Sequence, residues 1–109
     1  MKIRVVDLET NGTQPTDAIV QVGQCDIVID GDKIVLGPPS AMFVNAGHAL
    51  KPEARAVHHI RPKDIANAPP VDIGIKTLID GAPDIYCAHR ASFEQQYFNP
   101  DGSKWICTL

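Results

Sequence analysis

Two segments rich in β-branched residues, a short one and a longer one, lie in the first third of the sequence, and they restrict the fold more than any other feature. They run from Ile3 to Leu8 and from Ile19 to Ile29. Val and Ile at this density favour β-strands, because branched side chains pack well on a pleated surface. Asp30-Gly31-Asp32 comes next, and glycine tolerates the positive φ that a tight hairpin turn requires. Lys33 to Leu36 is therefore predicted to return antiparallel to the second strand.

The remainder of the chain alternates between helical and extended patterns. Apolar residues recur at helical spacing over Val71 to Ile79, which predicts an amphipathic helix. Ser92 is predicted to cap another helix that runs through Phe98. The other predicted elements are an extended run over Ala41 to Val44, a short helix over Glu53 to Val57, a buried strand over Ile85 to Ala88 and a last strand over Trp105 to Thr108. This order predicts one α/β domain over residues 1–109, with a mixed sheet and helices packed on it.

The composition excludes several other classes of protein. With 44% hydrophobic and 21% charged residues, the 109-residue chain resembles neither a disordered segment nor a coiled coil. No apolar run is long enough to cross a bilayer, so no membrane partner is expected. The N-terminus lacks the apolar region of a signal peptide, which predicts a cytoplasmic location. Cys25, Cys87 and Cys107 show no metal-binding spacing, and small buried thiols are expected.

The net charge of −3 conceals a polarised distribution. Residues 1–32 contain six acidic side chains against two basic ones, whereas residues 48–63 contain four basic side chains against one acidic. An acidic site beside a basic strip suits a metal-dependent enzyme that acts on a polyanion. The alternative is that both runs are solvated faces with no ligand.

Asp7 and Glu9 lie at the end of the first predicted strand. Residues i and i+2 of a strand point to the same side, so both carboxylates should project together while Leu8 faces the opposite layer. Hard oxygen ligands of this kind suit Mg²⁺ or Mn²⁺, although an acidic strand end exposed to solvent has the same pattern. Thr10 and Asn11 follow, and small polar residues there allow a ligand to approach the backbone or form a plain turn.

Two further groups of residues could carry chemistry. Glu94 falls in the first turn of a predicted helix, so it either points back toward the preceding strand or only interacts with the helix dipole. His58 and His59 are adjacent, and neighbouring helical residues face different ways, which argues against joint metal binding. One of them could contact a nucleotide or phosphate, or both could be solvent-facing polar residues.

These segments, in this order, resemble the motifs of the DEDD-type (DnaQ-like) 3′→5′ exonuclease family. Val5 to Gly12 resembles the family's first motif, and Ile19 to Gly23 the strand that follows it. Val57-His58-His59-Ile60 is similar to a V-H-x-I segment, and Ala88 to Glu94 to the second motif, H-N-A-x-F-D. Trp105-Ile106-Cys107-Thr108 is similar to the ending found in the exodeoxyribonuclease X branch of the family.

The resemblance implies a ribonuclease-H-like fold, with a mixed five-stranded sheet and helices on its faces. It also implies two divalent cations, Mg²⁺ or Mn²⁺, which hydrolyse a phosphodiester at a free 3′ end of a nucleic acid, DNA being favoured. Asp7, Glu9 and Glu94 would bind metal and act in catalysis. Thr10, Asn11 and His58 would contact the substrate, and Phe93 is expected to belong to the core rather than to contact it. A basic strip formed by Arg55, Arg61 and Lys63 would hold phosphates.

The sequence departs from the family pattern in two respects. Glu94 stands where aspartate is usual, and Arg90 replaces an asparagine and brings a cation beside the acidic site. The third motif, H-x-x-x-x-D, is absent, so the chain is expected to be a C-terminally truncated domain without the general base and the fourth carboxylate.

Two hypotheses of different class follow from these departures. In the first, the chain is part of a metal-dependent 3′→5′ exonuclease, and the 109-residue chain alone is inactive. In the second, the chain is a catalytically inactive nuclease-like module that binds nucleic acid or a protein partner. Loss of a terminal helix would also expose apolar surface, which predicts self-association.

Overall fold

The computed structural model describes all 109 residues and contains six strands and four helices. The mixed α/β arrangement predicted from the sequence is confirmed. No helix is long and apolar enough to cross a membrane. In chain order the elements are β1 (Lys2–Thr10), β2 (Ile19–Asp30), β3 (Lys33–Leu36), β4 (Ser40–Phe43), α1 (Pro52–His58), α2 (Pro62–Ile65), α3 (Val71–Ile79), β5 (Ile85–Ala88), α4 (Ala91–Glu94) and β6 (Trp105–Cys107).

The sheet has the order β3-β2-β1-β5-β6, and β4 also pairs with β2. Strands β1 to β4 pair in antiparallel fashion, whereas β1 with β5 and β5 with β6 are parallel, so the sheet is mixed. β3 lies against residues 27–30 of β2 and β4 against residues 21–24, so they share one edge of β2. Pro38 and Pro39 separate them, because proline lacks the N–H that a continuous strand needs. The sheet is therefore five strands wide, as expected.

One face of the sheet carries the hydrophobic core. Val6 and Leu8 of β1 point to this face and pack with Leu78 of α3 and with two aromatic residues, Tyr86 and Phe98. The remaining members of this core cluster are Ile19, Val22, Val44, Ala88 and Ala91. A second cluster joins Val20, Ile60 and Ile65 on the side of α2. Helices α2, α3 and α4 each contribute a buried residue to one of these two clusters.

The other face of the sheet carries an apolar surface that no helix covers. The pairing register places Ile3 between Ile85 and Ile27, with Leu36 beyond Ile27, in one row across four strands. Neighbouring rows contain Val5, Cys25, Cys87 and Ile106, and Ile29 with Ile34. None of these residues belongs to either core cluster, and Leu36, Ile34 and Ile106 are 69%, 68% and 41% exposed. We call this surface the open face.

Several local predictions need correction. Arg90, with a left-handed backbone, precedes α4, and Ser92 lies inside the helix without capping it. The helix ends at Glu94: the N–H of Gln95 still bonds four residues back to Ala91, whereas those of Gln96 and Tyr97 bond three residues back, as in a tight turn. The short helix α2 was not predicted from the sequence. Of the three cysteines expected to be buried thiols, only Cys87 is buried.

Candidate active site

A cavity of about 750 Å³ opens where β1 ends, between α1 and the turn from β5 into α4. The residues that line it come from four separate segments of the chain. They are Asp7 to Thr10, Gly12 to Gln14, Asp17, Lys51, Glu53, Ala54, Val57, His58, His89, Arg90, Phe93, Glu94 and Leu109. Both halves of the acidic motif pattern, near residue 8 and near residue 94, therefore meet in one place.

Asp7 and Glu9 point to the same side of β1, as the strand alternation predicts, while Leu8 between them is buried in the core. Asp7 is exposed and Glu9 is half-buried. The pKa of the Glu9 carboxyl is raised, first because burial disfavours its charge and second because Asp7 lies nearby. Two carboxylates that repel each other in this way are a favourable setting for a cation.

Glu94 reaches the same cavity from α4 and is only 3% exposed. Its Oε2 atom is buried and has no hydrogen-bond partner. Burial raises the pKa of Glu94, the N–H groups of Glu94 and Leu8 partly oppose that shift, and the charges of Asp7 and Glu9 add to it. Arg90 lines the cavity but forms none of the four ion pairs of the structure.

The three carboxylates have the right chemistry for a divalent cation, because Mg²⁺ and Mn²⁺ prefer hard oxygen ligands. The buried Oε2 of Glu94 receives no hydrogen bond, so it is free to accept a cation. The carboxylates are not preassembled, however: no group of three His, Cys, Asp or Glu side chains is arranged to hold a metal ion. The donor set fits a cation, and the side chains would have to move toward it.

His58 lines the cavity from the last turn of α1, and its hydrogen bonds define its tautomer. Its Nδ1 atom accepts the N–H of Ile60 at 2.9 Å, so in the neutral ring the proton sits on Nε2. That Nε2 atom is buried without a partner. Burial, and then the nearby His59 and Arg55, lower the pKa of His58, which keeps the ring neutral. His58 is therefore arranged to donate one hydrogen bond.

Thr10 and Asn11 have different environments. Thr10 lines the cavity and donates its hydroxyl to the carbonyl of Gly12. Asn11 is fully buried and does not line the cavity. Its side chain accepts the N–H of Lys51 at 2.7 Å and donates to the carbonyl of Ala49 at 3.0 Å. The structure thus gives Asn11 a bridging position rather than the expected contact with substrate.

The basic strip lies outside the cavity. Arg55 is exposed on α1, and Arg61 and Lys63 are exposed at the start of α2. Arg61 is engaged with Asp64, whose carboxylate accepts both its backbone N–H and its guanidinium. Arg55 and Lys63 form no ion pair and are free to meet a phosphate.

Several residues around the cavity were not predicted from the sequence. Asp17 is buried and binds Lys51 Nζ at 2.5 Å, and the Tyr97 hydroxyl donates to the carbonyl of Gln14 at 2.7 Å. Phe93, expected in the core, is only half-buried, lines the cavity and packs its ring on Tyr97 with centroids 5.3 Å apart. No local sequence pattern indicates the contact between Asp17 and Lys51, because the two residues lie 34 positions apart.

Comparisons with known proteins identify relatives of this chain. The exonuclease (RNase T) family model matches residues 5–92. Exodeoxyribonuclease 10 of Escherichia coli strain K12 is 34% identical over 107 residues, which are 98% of this chain and 45% of that protein. The chain thus spans about half the length of the curated relative that it matches.

Solved structures show the same fold. Exonuclease X in complex with 5′-overhanging duplex DNA superposes with a TM-score of 0.77 at 29% identity, over 98% of this chain and 60% of that one. Product-bound exonuclease I superposes with a TM-score of 0.76 at 13% identity, over 99% of this chain and 30% of that one, which is a likeness of fold alone. The ribonuclease-H-like sheet expected from the motifs is confirmed, and the chain belongs to the exonuclease family.

Proposed function

We propose that this chain forms the cation-binding and substrate-binding part of a metal-dependent 3′→5′ exonuclease that releases nucleotides from a free 3′ end, with DNA as the favoured substrate. One observation carries the proposal. Carboxylates from two distant motifs, Asp7 and Glu9 on β1 and Glu94 on α4, line a single cavity, and one buried oxygen of Glu94 lacks a partner. The similar proteins named as an exodeoxyribonuclease and as a DNA complex support this choice of substrate.

Asp7, Glu9 and Glu94 would hold Mg²⁺ or Mn²⁺, up to two ions per site. When bound, such ions stabilise charge on a phosphodiester and lower the pKa of a coordinated water. The chain's own contribution is a set of acidic oxygens kept together by β1 and α4 in spite of their repulsion. We assign the catalytic role to these three carboxylates.

The side chains around the carboxylates would hold the nucleic acid. His58 would donate its unpartnered Nε2–H to a phosphate or base of the terminal nucleotides. Thr10, at the cavity wall, would lie against the terminal nucleotide. Arg55 and Lys63 would attract phosphates further along the strand, and Arg61 would contribute less because Asp64 already neutralises it.

A catalytically inactive binding module is the second candidate, and one observation favours it. No three of the acidic or histidine side chains form a preassembled metal site. Of the two other acidic residues of the cavity, Asp17 is paired with Lys51 and does not supply a fourth ligand, and Glu53 lies on α1, across the cavity from β1. We therefore expect the 109-residue chain alone to hydrolyse DNA slowly or not at all while binding it.

Digestion of a labelled single-stranded DNA oligonucleotide with Mg²⁺ or Mn²⁺ separates the two candidates. Products that shorten a 5′-labelled strand one nucleotide at a time, and that disappear with Asp7→Ala, establish a 3′→5′ exonuclease and refute the inactive module. Salt-dependent binding without turnover supports the inactive module. Absence of both binding and turnover contradicts both candidates. A cytoplasmic location stays a prediction, which cell fractionation tests.

We also propose that a second copy of this chain covers the open face. Strands lie about 4.8 Å apart and alternate residues about 6.8 Å apart, so three rows over four strands make a patch of roughly 400 Å². Monomers rarely expose a larger apolar patch, and two such patches would bury roughly 800 Å², which is enough only for a weak dimer. The three rows contain no charged residue, so the surface is compatible with itself.

Sedimentation velocity over a concentration series tests this association. We expect a concentration-dependent dimer that disappears with Ile27→Lys, which adds a charge at the centre of the open face. Val35→Lys is the matched control, because Val35 is also exposed on the hairpin but pairs with Val28 on the opposite face. A chain that stays monomeric at high concentration, or a dimer that only Val35→Lys disrupts, would show the proposed interface to be wrong.

A further inference from the structure

Helix α1 forms one wall of the cavity but has little packing of its own. Glu53, Ala54, Val57 and His58 of this seven-residue helix line the cavity. Ala54 is its only buried residue, and Val57 is 77% exposed. The apolar anchors lie outside the helix, at Leu50 before it and Ile60 after it. Within α1 itself, hydrophobic packing therefore contributes little to holding the helix across the cavity from β1.

Polar contacts at the start of α1 supply that attachment. Lys51 immediately precedes the helix, and its Nζ donates to Oδ1 of Asp17 at 2.5 Å. The backbone N–H of Lys51 donates to the buried side chain of Asn11 at 2.7 Å. Asn11 directly follows β1, so one residue of the α1 entry is bonded twice to the segment that leaves β1.

The Asp17 side of this contact is itself immobilised. Oδ2 of Asp17 accepts the N–H of Gln14 at 3.0 Å, and the N–H of Asp17 donates to the carbonyl of Gln14 at 2.9 Å. The carboxylate also fills the space beside Gly12, where an added Cβ would lie 2.1 Å from Oδ2. Tyr97, which follows α4, bonds the carbonyl of Gln14 from the other side. The segment from Gly12 to Asp17 is thus held by its own hydrogen bonds and by Tyr97, independently of its contact with Lys51.

We propose that Asp17 and Lys51 form a latch that holds α1 against the end of β1 and so keeps the cavity wall in its substrate-binding position. Both are positioning residues, because the carboxylate and the ammonium are bonded to each other and not directed at a ligand. The latch acts through His58, which α1 carries at its far end. This inference rests on the proposed function for its effect on DNA, whereas its effect on α1 is independent of that function.

Two measurements on the full chain test the latch: hydrogen exchange of residues 52–58, and binding of a fluorescent single-stranded DNA oligonucleotide without Mg²⁺ or Mn²⁺. The variants are Asp17→Asn, Lys51→Met and the conservative Lys51→Arg. Lys104→Met is the matched control, because Lys104 is an exposed cation that forms no ion pair. Exchange elsewhere in the chain reports whether each variant keeps its fold.

We expect Asp17→Asn and Lys51→Met to speed hydrogen exchange in α1 and to weaken oligonucleotide binding roughly three- to tenfold. The reason is that a shift of α1 by about an ångström would misalign His58 with the bound strand. Lys51→Arg and Lys104→Met should behave like the wild type. Asp17→Asn is decisive, because it removes a negative charge. If Asp17 acted only through its charge, this variant would bind the anionic DNA more tightly.

Equal or tighter binding by Asp17→Asn, or unchanged exchange in α1, would overturn the latch. Failure of the wild-type chain to bind the oligonucleotide would contradict the proposed function instead. In that case, exchange in α1 still decides whether Asp17 and Lys51 hold the helix in place.

Discussion

Replacing Glu94 by glutamine should make the protein more stable, although it removes a residue of the candidate active site. Glu94 is 3% exposed and one of its carboxylate oxygens is buried without a partner. Its charge also faces Asp7 and Glu9, which raise its pKa further than burial alone. A glutamine has the same shape, carries no charge and presents an N–H₂ group that can donate to the neighbouring carboxylates.

The expected gain follows from these contacts. An unsatisfied buried polar group costs about 1–3 kcal/mol. Part of this gain is lost, because the N–H groups of Leu8 and Glu94 that favour the carboxylate would meet a weaker, neutral acceptor. A net increase of about 1 kcal/mol in the free energy of unfolding remains, which raises Tm by roughly 4–8 °C in a domain of about 100 residues.

Urea and thermal unfolding at neutral pH, without divalent cations, measure this difference. Glu53→Gln is the control, because Glu53 lines the same cavity from α1 but is exposed, and its substitution should leave Tm unchanged. Addition of Mg²⁺ or Mn²⁺ should stabilise the wild type more than Glu94→Gln, since only the wild type offers the third carboxylate. If Glu94→Gln is less stable than the wild type, the carboxylate is well solvated or paired, and the reasoning from burial is wrong.

Three further outcomes are expected. Gly74→Ala should lower the free energy of unfolding in urea by about 1 kcal/mol, although alanine has the better helix propensity, because the added Cβ would lie 2.7 Å from Val44 Cγ1. A more stable variant would refute this close contact. The hydrogen bond from Arg4 holds the pKa of the Asp26 carboxyl below its usual range. The stability that this ion pair contributes is therefore present above about pH 4 and is lost as pH falls through the lowered pKa. Urea midpoints between pH 7 and 3 should therefore fall less in Asp26→Asn than in the wild type. Combined Arg55→Gln and Lys63→Gln should flatten the salt dependence of oligonucleotide binding, and an unchanged slope would remove both from the phosphate contacts.

Elements that are specified by patterns within a few residues could be predicted from the sequence. The bounds of α3 and β5 agree with the predicted 71–79 and Ile85 to Ala88, because side-chain periodicity and flanking breakers act within a few residues. The shared side of Asp7 and Glu9 follows from strand alternation alone. Glu94 reached the cavity as the motif order implied, although the pattern around it did not predict that α4 would contain only four residues.

Other properties depend on which segments meet. Phe93 has the sequence context of a core residue, yet it lines the cavity and packs on Tyr97. Gly74 weakens a helix by propensity, and only the approach of α3 to Val44 and Val22 shows why a larger residue does not fit. The open face likewise emerges only from the register of five strands, since each strand alone has an ordinary apolar pattern.

The sequence by itself determined the type of chemistry: a strand ending in two carboxylates, a third carboxylate in the first turn of a predicted helix, and a basic segment between them. Those features need only backbone periodicity and residue type. The tertiary structure decided which groups are free to act. Asp17 and Lys51 neutralise each other across 34 positions of the chain, and the side chain of Asn11 is bonded to the backbone of Lys51 at the start of α1. Glu94 keeps one carboxylate oxygen without a hydrogen-bond partner. Burial and pairing arise from contacts between distant segments, so they lie beyond any local pattern.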